Sequence, residues 1–138
     1  MPFLKPIDVN DTLVDRLWKA LENCGSFYSI ADGFTKEHFR KVLFSSSLVL
    51  EGPNILVRLE DSKDYAEVHP IVFGPSLFSR AEEALGDVMG FAKKPVCCII
   101  PKAMRGARKL ALAAGMRKVG ECGRPLSGVP VVCEVWRK

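Results

Sequence analysis

Histidine is scarce in this chain. Its 138 residues include two, His38 and His69, and neither has a partner at ligand spacing, so no metal centre is expected. Cysteine occurs five times, at Cys24, Cys97, Cys98, Cys122 and Cys133, and no Cys-x-x-Cys pair occurs. An odd number, with Cys97-Cys98 inside the most apolar run, implies buried thiols in a reduced, intracellular (cytoplasmic) protein and not a disulfide scaffold. No apolar run reaches the roughly 18 residues that span a bilayer, and the first ten residues lack a long apolar core. Nothing therefore reads as secreted or membrane-inserted. The formal net charge of +4 is a mild bias and not a polybasic signature. Neither an internal repeat, a low-complexity tract nor a linker is evident, which implies one compact domain over residues 1–138.

With 48% hydrophobic residues there is enough apolar side chain for a core. The centre of the chain is the clearest part. Residues 65–73 (YAEVHPIVF) are β-branched and aromatic and end at Gly74-Pro75, a strand running into a turn. Ser79 opens an apolar-periodic helix through Ala84, Leu85 and Val88 to Phe91. Residues 96–100 (VCCII) are a wholly apolar strand, covered on both faces. Residues 102–114 form a second helix, closed by Gly115.

The flanks follow the same logic. Residues 3–9 carry Pro2 and Pro6 around them and suit only an edge strand. Asn10 or Asp11 caps a helix to about Asn23, and Thr35 caps a shorter one. Strands 47–51 and 55–60 meet at Gly52-Pro53-Asn54, a hairpin signal. Strands 116–122 and 129–136 are joined through Gly123-Arg124-Pro125 and Ser127-Gly128. The predicted order is β-α-α-β-β-β-α-β-α-β-β, an α/β fold with a mixed sheet and at least one parallel crossover.

Several residues are candidates for chemistry. Glu67 and His69 lie two apart on a strand, so they share a face, and a carboxylate beside an imidazole suits a base working near neutral pH. The alternative is two polar residues on a half-exposed strand, with Pro70 beside them. His38 falls on the polar side of a short helix. Cys97 and Cys98 have no base or cation beside them and read as core. Ser79-Arg80-Ala81-Glu82 is a capping box, by which a helix start would satisfy itself. Arg105, Arg108 and Lys109 share one helix face, near Lys102, Arg117 and Lys118. This face is either solvated or an anion contact. No aromatic is interleaved with it, so nucleic acid is not an expected partner.

The element order, together with Ala107-x-x-Leu110-x-x-x-x-Gly115-Met116-Arg117-Lys118-Val119-Gly120, resembles the GNAT superfamily of acetyl-CoA-dependent N-acetyltransferases, with Met116 in place of the usual Phe. Among its members the chain is most similar to short, divergent versions carried by bacteriophages. The resemblance implies an opening between the fourth and fifth strands for acetyl-CoA. It also implies cofactor contacts from Val72 at the end of the fourth strand and from Ser76, Ser79, Arg80 and Ala81 in the following loop and helix start. There the backbone N–H groups and positive helix end would hold a pyrophosphate. Ser76 and Ser79 depart from the family's Gln/Arg and Gly. Arg105 and Arg108 would lie near the 3′-phosphate, and Glu67 or His69 would serve as base. The Tyr that commonly protonates the leaving thiolate is replaced by Ala111, and the family's Asn by Met104.

Two functions follow. One is an N-acyltransferase moving an acetyl group from acetyl-CoA to the amine of a small molecule or protein. The other is an inactive domain of that fold serving in binding or assembly, with a protein partner, for example in a virion. The acceptor segment would be residues 26–47, with Phe27, Tyr28 and Phe34 lining a pocket or meeting a partner. The alternating strand at 129–136 suits either a homodimer contact or a plain sheet edge.

Overall fold

The computed structural model describes residues 2–24, 35–73, 78–126 and 129–138. The expected turn at Gly74-Pro75, the loop position Ser76 and the aromatics Phe27, Tyr28 and Phe34 lie outside the described residues.

The elements follow the predicted order: β1 (Lys5–Pro6), α1 (Asp11–Cys24), α2 (Lys36–Ser45), β2 (Leu48–Gly52), β3 (Ile55–Asp61), β4 (Ala66–Val72), α3 (Ala81–Ala92), β5 (Val96–Pro101), α4 (Arg105–Ala113), β6 (Arg117–Leu126) and β7 (Val129–Arg137). The strands form one seven-stranded sheet in the order β1-β2-β3-β4-β5-β7-β6. Strands β4 and β5 pair in parallel, and the other neighbours are antiparallel. The mixed α/β architecture expected from the sequence is thus the one observed.

Local chemistry explains the helix ends. Asn10 caps α1 by accepting the Leu13 N–H at 2.8 Å, and Thr35 caps α2 by accepting the His38 N–H at 3.2 Å. Helix α4 ends in a Schellman turn: Gly115 donates to the Leu112 carbonyl and Met116 to that of Ala111. Gly115 takes the left-handed conformation this turn requires, with φ +85°.

Strand alternation sends side chains to two faces. Leu56 and Ile71 pack under α1 and α2, against Leu13, Val14, Leu17, Phe39 and Leu43. Val57, Val68, Val96, Ile100 and Trp136 pack under α3 and α4. Phe39, Leu43, Leu50 and Leu56 are fully buried, and each such side chain contributes roughly 1.5–3 kcal/mol. Phe3 and Leu4 are tied to α3, since both their N–H groups donate to Asp87 Oδ2, at 2.7 and 3.0 Å.

Four expectations need correction. The first strand shrinks to Lys5–Pro6 at the sheet edge, where an imide nitrogen costs no ladder bond. Helix α4 begins at Arg105 instead of residue 102, because β5 runs through Pro101 and a turn intervenes (Met104 N–H to Pro101 O, 2.9 Å). Gly123-Arg124-Pro125 is no loop: β6 continues through it, with Arg124 opposite Val131. Strand β7 is not an edge but an interior strand between β5 and β6, so its paired residues have no free side to offer a second copy. No helix among the described residues is long and apolar enough to cross a membrane.

Candidate functional site

The parallel ladder between β4 and β5 consists of two register pairs, Ala66 with Val96 and Glu67 with Cys97. Beyond them β4 continues to Val72 and β5 to Pro101 without pairing to each other, and a V-shaped cleft opens. It encloses about 540 Å³. The opening passes through the sheet. On one side its wall comes from His38, Phe39 and Val42 of α2 with Arg58, His69 and Arg124; on the other it comes from α3 and α4 residues such as Ala81, Leu85, Met104 and Ala111.

Glu67 and His69 do share a face, on the α2 side of the sheet. His69 Nε2 lies 3.1 Å from Glu67 Oε1 and 3.8 Å from Glu60 Oε2. Arg124 grips Glu67 with both terminal nitrogens, Nη1 to Oε1 at 2.7 Å and Nη2 to Oε2 at 3.1 Å. Arg58 holds Glu60 at 2.6 Å. Contact with His69, reinforced against the cost of burial by Arg124, lowers the Glu67 carboxyl to about 2. Glu67 is therefore a permanent carboxylate at neutral pH and a poor proton acceptor. Its chemical use is to hold a fixed negative charge beside the imidazole.

Sequence reasoning missed Arg58, Glu60 and Arg124. Parity along β3 would have placed Arg58 and Glu60 on one face, but only the register Arg58 opposite His69 and Glu60 opposite Glu67 brings them to the site. Glu60, Glu67 and His69 also offer ligand atoms within 4.8 Å of one another, which sequence spacing did not reveal. Two guanidinium groups already neutralise those carboxylates, so the set is not built for a divalent cation.

The residues expected to meet a cofactor divide into two groups. Ala81 is buried and lines the cleft, and half-buried Val72 packs at the end of β4. Ser79 is exposed, in a 3-10 turn at Phe78–Arg80, and the expected capping box does not form. Arg80 is the N-cap of α3 and makes no side-chain cap bond; its guanidinium instead holds Glu83 (2.9 and 3.0 Å) and lies 4.0 Å over the Phe3 ring. The first-turn N–H groups of α3 thus have no capping side chain among the described residues, which suits an anion better than a capping box would.

Arg105 is exposed at the start of α4. Arg108 turns to the sheet, with Nε 2.9 Å from Glu134 Oε1. Glu134 is 1% exposed and also meets Lys118 Nζ at 3.1 Å and the Trp136 indole N–H at 3.2 Å. Burial would raise its carboxyl, but these partners outweigh that and lower it. Cys98, on the cleft wall, is pushed up to about 12 by burial, with Cys97 and Glu67 adding, which fits an inert core thiol.

No protein-family model and no curated protein matches the chain by sequence. Solved structures do match by shape. The ribosomal L7/L12 alpha-N-protein acetyltransferase RimL superposes with a TM-score of 0.77 at 8% identity, over 100% of this chain and 91% of that one. The microcin C7 self-immunity acetyltransferase MccE, in complex with acetyl-CoA and AMP, gives 0.74 at 9% identity, over 98% and 91%. A GNAT-family acetyltransferase from Bacillus anthracis gives 0.67 at 11% identity, over 98% and 93%. At these identities the likeness shows the fold, which is that of the GNAT acetyltransferases.

Proposed function

We propose that this chain is an N-acetyltransferase that moves an acetyl group from acetyl-CoA to an amine. The observation that carries this reading is the cleft itself: a parallel ladder that stops after Glu67 and Cys97, with an ionised carboxylate and an imidazole beside the opening. Acetyl-CoA, when bound, supplies an acetyl group activated as a thioester. Its acyl arm suits the side lined by α3 and α4, which is apolar, and its pyrophosphate suits the uncapped first turn of α3 near Ser79, Arg80 and Ala81. Val72, at the end of β4, would border that path. Arg105, exposed at the start of α4, is the better candidate for the 3′-phosphate, since Arg108 already holds Glu134.

The chain's own chemistry lies on the α2 side. His69, in the cleft lining with Nε2 3.1 Å from the Glu67 carboxylate, is the group to take the proton of an incoming ammonium. The ionised Glu67 stands beside the imidazole, and Arg124 keeps Glu67 in place. Because the cleft is lined from both faces of the sheet, donor and acceptor can approach each other within it.

A second reading is favoured by one observation. Ala111, at the position of the family's thiolate-protonating Tyr, is buried on the cleft wall and carries no proton. A domain of this fold kept for binding or assembly, as in a bacteriophage particle, would tolerate that loss. Isothermal titration with acetyl-CoA and its dephospho analogue separates the two. Micromolar binding and acetylation of an amine support the transferase. Absence of heat and of thermal shift at millimolar ligand would leave the assembly reading.

A further inference from the structure

Among the described residues, the charged and imidazole side chains that line the cleft are all basic. They are Arg58, His69 and Arg124 from the sheet and His38 from α2; the thiols of Cys98 and Cys133 line it too. The carboxylates Glu60, 46% exposed, and Glu67, buried, are each engaged by a guanidinium, and neither is part of the lining. The four basic groups belong to the α2 side, while the α3 and α4 side presents Ala, Leu, Val and Met. An ammonium-rich acceptor such as a polyamine would find no carboxylate in that lining, and the carboxylates nearby are already paired with Arg58 and Arg124. An anion would find the N–H donors that these two guanidinium groups have left over.

We infer that the acceptor is a small amine that also bears an anionic group, a carboxylate or a phosphonate, which Arg58 receives on the α2 side of the cleft. This rests on the acetyl-transfer reading above. Arg58 is suited to the task because its side chain is 12% exposed, and so held in a dry wall. It meets Glu60 through Nη1, and a guanidinium has five N–H donors, so one carboxylate does not exhaust it. The cleft's 540 Å³ matches a small molecule better than a polypeptide segment.

The test uses the intact protein with glutamate, 2-aminoethylphosphonate, ethanolamine and spermidine as probes. Each is titrated calorimetrically with CoA present, and each is assayed with acetyl-CoA. The anionic amines should bind and turn over at least about tenfold better than the neutral one, a difference of about 1.4 kcal/mol, and spermidine should be poorest. Glutamate against the phosphonate then tells which anion is preferred. Arg58→Gln should remove that preference by raising KM for the anionic amine, with little change for ethanolamine. Glu60→Gln, which frees the same guanidinium without cutting the wall, should tighten the anionic amine. A cation preferred over the anions, no binding by any probe, or Glu60→Gln weakening the anion would each overturn the inference. If CoA itself fails to bind, the fault lies with the transferase reading; if CoA binds and spermidine wins, it lies here alone.

Discussion

Arg124 of β6 donates two hydrogen bonds to Glu67 of β4, although β5 and β7 lie between those strands in the sheet. The β6–β7 ribbon is thereby joined to the candidate site by one side chain. Arg124→Ala should destabilise the fold by about 1–3 kcal/mol, since it leaves the buried Glu67 carboxylate with His69 alone. Arg124→Lys should recover only part of this, because an ammonium cannot reproduce the two-pronged contact. Urea unfolding midpoints of the three proteins decide it; equal midpoints would mean that the pair contributes nothing.

The same contact sets a pH dependence. Glu67 titrates near 2 in the folded protein against an ordinary 4.5, because His69 and Arg124 favour its charged form. A folded value below the unfolded one contributes stability above about pH 4.5, which fades as pH falls toward 2. The full shift would correspond to roughly 3 kcal/mol, and solvent access at the half-exposed Arg124 reduces this to on the order of 2 kcal/mol. Glu67→Gln should therefore flatten the acid limb of a stability-against-pH curve. Parallel curves for the two proteins between pH 2 and 4.5 would contradict the assignment.

Much of this fold is legible in the sequence itself. Periodicity and caps located the four helices, and Gly52-Pro53-Asn54 and Gly115 marked turns that form as expected. Parity along one strand put Glu67 beside His69. What stayed hidden depends on distance in space. The Gly and Pro around Arg124 read as a loop, yet β6 passes through them because the ribbon needs no donor from Pro125 where it faces Pro130. Strand order within the sheet is not written in local pattern either, so β7 passed for an edge. The capping box failed for a different reason: Arg80 finds Glu83 and the Phe3 ring, and the chain enters α3 through a 3-10 turn.

Arg108 and Arg105 offer a direct comparison, since both were expected at a cofactor phosphate. Arg108→Ala should lower the melting temperature by several degrees, because buried Glu134 would keep only Lys118 and the Trp136 indole as partners. Arg105→Ala, on an exposed side chain, should leave it unchanged and should weaken acetyl-CoA if this end of α4 meets the 3′-phosphate. Thermal denaturation paired with ligand titration reads both effects. If Arg108→Ala spares stability and weakens the ligand, its role is at the cofactor and not at Glu134.

Gly115 is required twice over. Its φ of +85° is costly for any residue with a Cβ, and a Cβ built there would meet Lys138 Nζ at 2.7 Å. That ammonium donates to the Ala114 carbonyl at 3.0 Å, closing the C-terminal end of α4. Gly115→Ala should cost roughly 1–2 kcal/mol from backbone strain, plus whatever is lost as Lys138 moves aside. The double variant Gly115→Ala/Lys138→Ala separates the two contributions: if strain dominates, its loss equals the sum of the single losses. A smaller loss in the double variant would show that the contact with Lys138, and not the left-handed backbone, is what excludes a side chain at this turn.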